Sequence, residues 1–343
     1  MPCAYYTVNS AVSRGDPEDR ICPTPSSGQA GCNVRKRREM CVSQGTLRAD
    51  PEEYMMRREE LFNRGGYYRF LLECNVLLHR EAAAAMTDAL APTLRNHGRD
   101  EPMKVLDLAC GGWPTSIAGV TAGFPEQAFQ YTGVDINPDQ VELASTLFPF
   151  PDNVGSVRIL EGNAWDLERL PISREYDLIY SGMNLHHGTP EELLYLGRQL
   201  RGLLASDGLL LSHDVYRPDA QSYRRRPDVN PDDAEESFAL IESERLAGAG
   251  IPLPRIAEDT DSGEPAWRTD YLARMGGTLL ARGGDARGTQ STVAHMRQRD
   301  YPVSTQEMSE ILARAGFTAR IQRFDDSGEP MAPYVALCVA QVR

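Results

Sequence analysis

The sequence predicts an α/β fold with one seven-stranded, mostly parallel sheet that carries helices on both faces. Between about residues 102 and 218, five short, nearly all-apolar segments alternate with helical patterns, which is typical of strands buried on both faces of a parallel sheet. Near the C-terminus, two further apolar segments are separated only by a turn, which predicts an antiparallel pair at the sheet edge. The predicted strands are Lys104–Leu108, Phe129–Asp135, Val157–Glu161, Tyr176–Ser181, Gly208–Asp214, Phe317–Phe324 and Tyr334–Val342.

Helical patterns connect these strands and also precede the first of them. Two helices are expected before the sheet, one over residues 50–63 and one over residues 67–90, with Gly65 and Gly66 between them. The predicted helices of the sheet region span residues 116–123, 138–147, 190–204 and 305–316, the last with Thr305 as its capping residue.

Changes in composition divide the chain into five segments. These are a flexible arm (1–47), an N-terminal helical cap (48–101), a ligand-binding core (102–218), a helical insertion after the fifth strand (219–292) and a C-terminal helix with a strand pair that completes the core (293–343). The insertion is predicted to hold helices near residues 232–247 and 266–275, and a loop at Gly283, Gly284 and Gly288. Because open α/β sheets bind ligands at the C-terminal ends of their strands, the insertion is interpreted as a substrate cap. A solvent-facing excursion is the alternative.

Bulk properties narrow the functional classes. The formal net charge of −13 argues against a general affinity for nucleic-acid phosphates, so no nucleic-acid partner is expected. No apolar run is long enough to span a bilayer, and the N-terminal residues lack the pattern of a signal peptide. Seven scattered cysteines fit reduced thiols better than a disulfide framework. These features predict a cytoplasmic protein without a membrane partner, and they leave its oligomeric state open.

The strongest local signal is the segment VLDLACGGW, which runs from Val105 to Trp113 between a predicted strand and a predicted helix. The small residues Ala109, Gly111 and Gly112 allow a sharp turn and close approach of the backbone to a ligand. Cys110 is expected to be a small filler in this turn rather than a nucleophile. A turn of this kind favours a nucleotide-like ligand.

A second signal lies at the end of the next predicted strand, where Asp135 can accept hydrogen bonds from both hydroxyls of a ribose. Proteins that bind NAD use the same device, so this residue indicates an adenosine-containing ligand without naming it. Three features favour S-adenosylmethionine. Asp107 would repel a pyrophosphate but suits an ammonium and a sulfonium, the G-x-G-x-x-G spacing is absent, and Asn163 to Asp166 offers polar and aromatic groups for an adenine.

In this order and spacing, LDLACGGW, YTGVDIN, EGNAWDL and YDLIYSGMNLHH resemble the successive motifs of class I, Rossmann-like methyltransferases over about residues 103–216. The resemblance implies S-adenosylmethionine as the cofactor. It implies that Asp107, Ala109, Gly111 and Gly112 lie near the methionine portion and that Asp135 holds the ribose. Around the adenine it places Ile136, Asn163, Ala164 and Trp165, and Ser181 is expected to face the cofactor. Cys110, in the same turn as Gly111, is also a candidate for cofactor binding. N-terminal helices in this family commonly fold over the cofactor, which makes Tyr68 a candidate contact for its carboxylate. Core packing is the alternative role for Tyr68. The sequence departs from the family at Ala109 and Trp113, where glycine is common.

Histidines at the predicted C-terminal edge of the sheet are candidates for a general base. His186 and His187 follow the fourth strand and His213 ends the fifth, where each could take a proton from the methyl acceptor. Packing or positioning is the alternative role for each of them. His213, Asp214 and His295 also offer the ligand set of an open metal site, which the sequence leaves open, and no metal is assigned.

These observations predict an S-adenosylmethionine-dependent methyltransferase that acts on oxygen, nitrogen or carbon of a small molecule. The absence of the full glycine fingerprint and the presence of Asp107 count against a NAD-dependent oxidoreductase. A protein that binds S-adenosylmethionine without turnover, as a sensor or a scaffold, is the alternative from another class.

Overall fold

A computed structural model of the protein describes residues 67–96, 101–218, 265–300 and 302–343. Its seven strands form one sheet in the order β3-β2-β1-β4-β5-β7-β6. The first five strands run parallel, while β7 pairs antiparallel with β5 on one side and with β6 on the other. The strands are β1 (Met103–Leu108), β2 (Phe129–Asp135), β3 (Val154–Glu161), β4 (Tyr176–Gly182), β5 (Leu204–Val215), β6 (Phe317–Arg323) and β7 (Val335–Val342).

Eight α-helices accompany these strands within the described ranges. They are α1 (Tyr67–Glu73), α2 (His79–Asn96), α3 (Thr115–Ala122), α4 (Pro138–Thr146), α5 (Pro190–Leu203), α6 (Ala266–Ala281), α7 (Ala286–Arg299) and α8 (Thr305–Ala315). Local sequence explains several of their starts. Thr189 and Ser304 each form a capping box with the glutamate three residues later, and Asn137 caps α4 ahead of Pro138. None of the helices in this part of the chain combines the length and the apolar character that a membrane span needs.

Two hydrophobic clusters lie on opposite faces of the sheet because side chains alternate along each strand. Val105 and Leu178 belong to the cluster that includes residues of α2, α3, α6 and α7, whereas Leu106 and Ile179 belong to the cluster under α5 and α8. The central strands are therefore almost fully buried, as their apolar sequences predict.

The structure confirms the predicted seven-stranded sheet and its antiparallel C-terminal strand, but it corrects several predicted elements. The helix predicted over residues 67–90 is two helices, because the chain breaks where Asn75 and Leu78 adopt positive φ angles. Gly288, predicted in a loop, lies in the first turn of α7, and the cap of α8 is Ser304 rather than Thr305. The arm over 1–47 and the helices predicted over 50–63 and 232–247 lie outside the described residues. In the predicted insertion, α6 is largely buried in the core.

Candidate functional site

The turn after β1 is held to the end of β2 by a single carboxylate. Oδ2 of Asp135 accepts the backbone N–H of Gly111 at 2.8 Å, and Oδ1 accepts the N–H of Asn137 at 2.9 Å. Burial raises the pKa of Asp135, while these backbone N–H groups oppose the rise. Both predicted elements of the donor site, the small-residue turn and the acid, therefore meet at one edge of the sheet.

The conformation of this turn explains its small residues. Ala109 and Gly111 have φ angles of 54° and 61°, in the left-handed region that side chains disfavour. A Cβ on Gly111 would meet no atom within 4 Å, so the space beside this residue is open. Gly112 is different, since a Cβ there would lie 2.7 Å from Oε1 of Gln140, which accepts the Gly112 N–H. Gly111 thus faces free space and Gly112 packs against α4.

Asp107 is buried at the end of β1, where the phenolic O–H of Tyr131 donates to its Oδ2 at 2.6 Å. Burial raises the pKa of Asp107 to about 7, the hydrogen bond from Tyr131 opposes the rise, and the charge of Asp135 adds to it. Cys110 is also buried, and its thiol pKa lies well above its ordinary value because of burial and the charge of Asp107. A raised pKa disfavours the thiolate, and the role of Cys110 as a filler stays a prediction.

Helix α1 lies against the turn from the N-terminal side. The guanidinium of Arg69 sits 4.4 Å from the ring centroid of Trp113, which in turn contacts Phe148 edge-on. Burial raises the pKa of Tyr68, and the charges of Asp107, Asp214 and Asp135 raise it further in that order. The Tyr68 hydroxyl therefore senses the charges of carboxylates on three strands, β1, β2 and β5.

The residues predicted around the adenine differ in exposure. Ile136 exposes 69% of its surface directly after Asp135. Asn163 is exposed and its Oδ1 accepts the N–H of Trp165 at 3.0 Å, while Ala164 is buried below. A Cβ on Gly188 would lie 2.2 Å from the Trp165 ring, so this glycine provides the room for the indole. An exposed isoleucine side chain and a half-buried indole are both suited to contact an adenine.

Ser181 and His213 end two adjacent strands, but neither side chain is open to solvent. Ser181 is fully buried, with Nδ2 of Asn184 3.4 Å from its Oγ. His213 is fully buried too, and its ring meets His79 edge-on with centroids 4.9 Å apart. Burial and then His79 hold the pKa of His213 well below its ordinary value. The role of His213 as a base stays a prediction, and the structure gives its ring no open face.

His186 lies between two buried carboxylates. Its Nδ1 is 2.5 Å from Oδ1 of Asp214, and its Nε2 is 3.4 Å from Oδ1 of Asp300. Burial opposes charge on this ring, but Asp300 and Asp214 outweigh it and raise the pKa of His186 to about 10. For His187, burial and then the charge of His186 lower the pKa to about 4. Among the three predicted bases, His187 is thus the neutral, partly exposed one.

The ligand set predicted from His213, Asp214 and His295 is distributed differently in the structure. His213 contacts His79 and lies 6.4 Å between ring centroids from Phe324, whereas His295 meets His187 edge-on with centroids 5.6 Å apart. Asp214 bonds His186. Asp214 and His295 therefore contact His186 and His187, which follow β4, whereas His213 packs against His79 instead.

Several residues of this edge were not predicted from the sequence. Asp300, Tyr131, Gln140 and His79 contact site residues from other elements, and for all but Gln140 nothing in the local sequence signals it. The one available signal was the position of Gln140 in the first turns of a helix that follows Asp135. For Asp300, which precedes α8 by a few residues, only the fold reveals its proximity to His186.

Comparison with protein families found a match in the part of the chain that forms most of the parallel sheet. Residues 105–208 match the family described as a methyltransferase domain. A search among curated proteins found no match. The chain is similar to a solved structure of the plantazolicin methyltransferase BamL in complex with a triazolic desmethylPZN analog and SAH, with 12% identity, a TM-score of 0.47, and coverage of 80% of this chain and 88% of that one.

The chain is also similar to two other solved structures. The mitomycin 7-O-methyltransferase MmcR gives 14% identity and a TM-score of 0.40 over 72% of this chain and 51% of that one. The PH0226 protein from Pyrococcus horikoshii OT3 gives 19% identity and a TM-score of 0.37 over 76% of this chain and 91% of that one. The chain spans 58%, 51% and 44% of the length of three of its structural relatives. The family match identifies residues 105–208 as a methyltransferase domain and confirms the resemblance to class I methyltransferases, whose cofactor is S-adenosylmethionine.

Proposed function

We propose that this protein transfers a methyl group from S-adenosylmethionine to a small-molecule acceptor bound over the C-terminal ends of β4 and β5. The observation that carries the proposal is the contact between Asp135 and the N–H of Gly111. It joins the acid proposed for the ribose to a turn that is open beside Gly111, and this arrangement supports an adenosyl ligand.

The charges of the donor site support a cationic ligand. The charges of Asp107, Asp214 and Asp135 all raise the pKa of Tyr68, so the field of three carboxylates is felt at this hydroxyl. S-adenosylmethionine carries an ammonium and a sulfonium, and a buried acid such as Asp107 gains a counter-charge when it binds. In this proposal Asp107 faces the ammonium, Asp135 the ribose hydroxyls, and Ile136 with Trp165 the adenine.

The chemistry is a displacement at the methyl carbon. A lone pair of the acceptor forms the new bond to that carbon while the carbon–sulfur bond breaks, and its electron pair stays on sulfur to give S-adenosylhomocysteine. An acceptor that must lose a proton passes it to a neutral base. His187 is the proposed base, because 30% of its side chain is exposed whereas His186 and His213 are buried. His186, which is held between Asp214 and Asp300, positions the ring of His187, since the two ring centroids are 4.0 Å apart.

Thermal unfolding with S-adenosylmethionine, S-adenosylhomocysteine and NAD in separate samples tests the donor site. A ligand that binds only the folded protein adds about 2.7 kcal/mol at a hundredfold excess over its Kd, so both sulfur ligands are expected to raise the midpoint and NAD is not. Asp135→Ala should abolish the rise. Glu126→Ala is the matched control, because Glu126 is an exposed acid in the turn before β2, at the opposite edge of the sheet.

Either of two results would contradict the proposal: no rise with the sulfur ligands, or a rise with NAD alone. A rise that persists while a broad panel of acceptors remains unmethylated would favour a binding protein over an enzyme.

A further inference from the structure

We propose that His186, His187 and Asp300 bind a divalent transition-metal ion that holds the methyl acceptor through an oxygen atom. The inference rests on the proposed function and refines its acceptor to a compound with an oxygen donor. It is carried by geometry and by the surroundings of the three side chains.

The three side chains converge at distances suited to one ion. Oδ1 of Asp300 lies 3.4 Å from Nε2 of His186 and 3.7 Å from Nδ1 of His187. One ligand atom from each residue can be chosen so that all three lie within 4.8 Å of one another. Nitrogen and oxygen ligands bind zinc at about 2.0–2.2 Å, so two donors on the same ion stand about 3–4 Å apart. Small movements of the three side chains would therefore close the site.

The outer contacts of the cluster match those that support metal ligands. Nδ1 of His186 is bonded to Asp214, which leaves its Nε2 to face Asp300 and an ion between them. Oδ2 of Asp300 accepts the O–H of Tyr271 at 2.8 Å. A carboxylate behind a histidine and a hydrogen bond behind a carboxylate fix the orientation and tautomer of ligands in metal sites. Asp214 is itself fixed, since its Oδ2 accepts the N–H of Leu185 at 2.6 Å.

One buried oxygen of the cluster has no hydrogen bond. Asp300 is 2% exposed, and its Oδ1 is among the buried polar atoms of the described residues that lack a hydrogen-bond partner. A buried carboxylate oxygen in this condition is costly unless a charge compensates it. Without an ion, the ring of His186 compensates this oxygen from 3.4 Å, and an ion between the two side chains would take over that role and bond Oδ1 directly. Metal binding would cost one hydrogen bond. Nδ1 of His187 lies 3.2 Å from the carbonyl oxygen of Arg299, and this contact is lost when the nitrogen binds the ion.

The donor set selects the class of ion and its use. Two imidazoles and one carboxylate suit zinc, iron, cobalt or nickel rather than magnesium or calcium, and three protein ligands leave positions open for water or substrate. An oxygen of the acceptor can fill an open position, where the ion lowers the pKa of an O–H or of an adjacent C–H. With the ion bound, His187 is a ligand, and the acceptor loses its proton to water rather than to this ring.

The test uses the untagged full-length protein, stripped with a chelator and titrated with Co²⁺ and Zn²⁺. Wild-type protein is expected to bind one equivalent, with visible d–d absorption for Co²⁺. His186→Ala and Asp300→Asn should weaken binding at least about a hundredfold, and Asp214→Asn about 10- to 100-fold. Asp326→Asn is the matched control for Asp300→Asn, because Asp326 is an exposed aspartate and should leave metal binding unchanged.

S-adenosylhomocysteine binding is measured on the same samples to show that each variant is folded and to separate the two proposals. The site is supported if His186→Ala and Asp300→Asn lose metal binding, Asp214→Asn binds metal more weakly, and all three variants retain S-adenosylhomocysteine binding. Absence of stoichiometric binding in wild type, or equal binding in all variants, overturns it and leaves a charge bridge of Asp214, His186 and Asp300. Absence of S-adenosylhomocysteine binding throughout contradicts the proposed function, while the metal titration still decides the site.

Discussion

The turn after β1 would be disturbed by a side chain at Gly111 in two separate ways. The residue has a φ of 61°, so an alanine there is strained, and its Cβ would occupy the open space beside the turn. Strain of this kind costs about 1–2 kcal/mol. Loss of ligand binding is a separate effect, because it depends on what occupies the open space.

Gly111→Ala is expected to lower the free energy of unfolding by about 1 kcal/mol and to weaken S-adenosylhomocysteine binding at least about tenfold. The measurements are urea denaturation and isothermal titration calorimetry. Gly328→Ala is the matched control, since Gly328 has a φ of 70° and equally free surroundings but lies in the turn between β6 and β7. Equal effects of both variants on ligand binding would show that Gly111 does not face the cofactor.

Asp107 should make the ligand-free protein less stable as the pH rises. Its folded-state pKa of about 7 lies above the ordinary value of 3.8, so the folded protein holds this proton more tightly than the unfolded chain does. Stability therefore falls as the pH rises from about 4 to 7, and the full cost is present above about pH 7.

Asp107→Asn removes that cost and should raise the unfolding free energy near pH 8 by on the order of 1–3 kcal/mol, with little change near pH 4. The same variant should bind S-adenosylmethionine more weakly, because it lacks the counter-charge for the ammonium. Asp152→Asn, at an exposed aspartate, controls for the loss of one negative charge. A stability difference that is the same at both pH values would argue against a strained carboxylate.

The site residues at the strand ends could be predicted, because the apolar strand that precedes each of them is visible in the local sequence. Asp107, Gly111 and Asp135 each lie at or just after the end of an apolar strand, and parallel strands bring their C-terminal ends to one edge. Asp300 could not be predicted, since it lies far along the chain from His186 and shares no sequence pattern with it. Only the path of the chain brings the two side chains together.

At the scale of elements, helix α8 is defined by local signals at both ends. Ser304 and Glu307 form a capping box, and Gly316 ends the helix with a φ of 96°. The helix packs Ile311 and Leu312 into the cluster on its face of the sheet. Its stability should depend measurably on the cap.

Ser304→Ala is expected to lower the unfolding free energy by about 1 kcal/mol, because the N–H of Glu307 loses its acceptor. Urea denaturation measures the change, and S-adenosylhomocysteine binding should stay within about twofold. Ser309→Ala is the internal control: its Oγ bonds the carbonyl of Thr305 inside the helix, so its removal should be neutral or slightly stabilising. A loss as large as that of Ser304→Ala would point to tertiary packing rather than capping.

The elements that sequence reasoning missed have specific physical causes. Asn75 fits the helical spacing of its neighbours, but it adopts a positive φ and its Oδ1 accepts the N–H of Arg80. This arrangement ends one helix and caps the next. Gly288 was assigned to a loop, yet its N–H donates to Asp285, the cap of α7. In both cases a side chain bonded to the local backbone decided the structure, and residue spacing alone does not show such bonds.

At the scale of the whole molecule, the sheet edge gathers acids from separate strands in a chain that is itself acidic. Asp107, Asp135 and Asp214 all act on Tyr68, and the formal net charge is −13. Such a protein attracts cationic ligands over distances comparable with the Debye length. The two sulfur ligands differ in charge, since the sulfonium gives S-adenosylmethionine one positive charge more than S-adenosylhomocysteine.

Salt should therefore weaken the binding of S-adenosylmethionine more than that of S-adenosylhomocysteine. Raising NaCl from about 0.1 M to about 1 M shortens the Debye length from about 10 Å to about 3 Å, and we expect the ratio of the two affinities to shift by about 2- to 5-fold toward S-adenosylhomocysteine. Calorimetric titrations at both salt concentrations measure this ratio, in which general effects of salt on apolar contacts cancel. An unchanged ratio would mean that the sulfonium does not sense the carboxylates of this edge, and the donor would then have to lie elsewhere on the sheet.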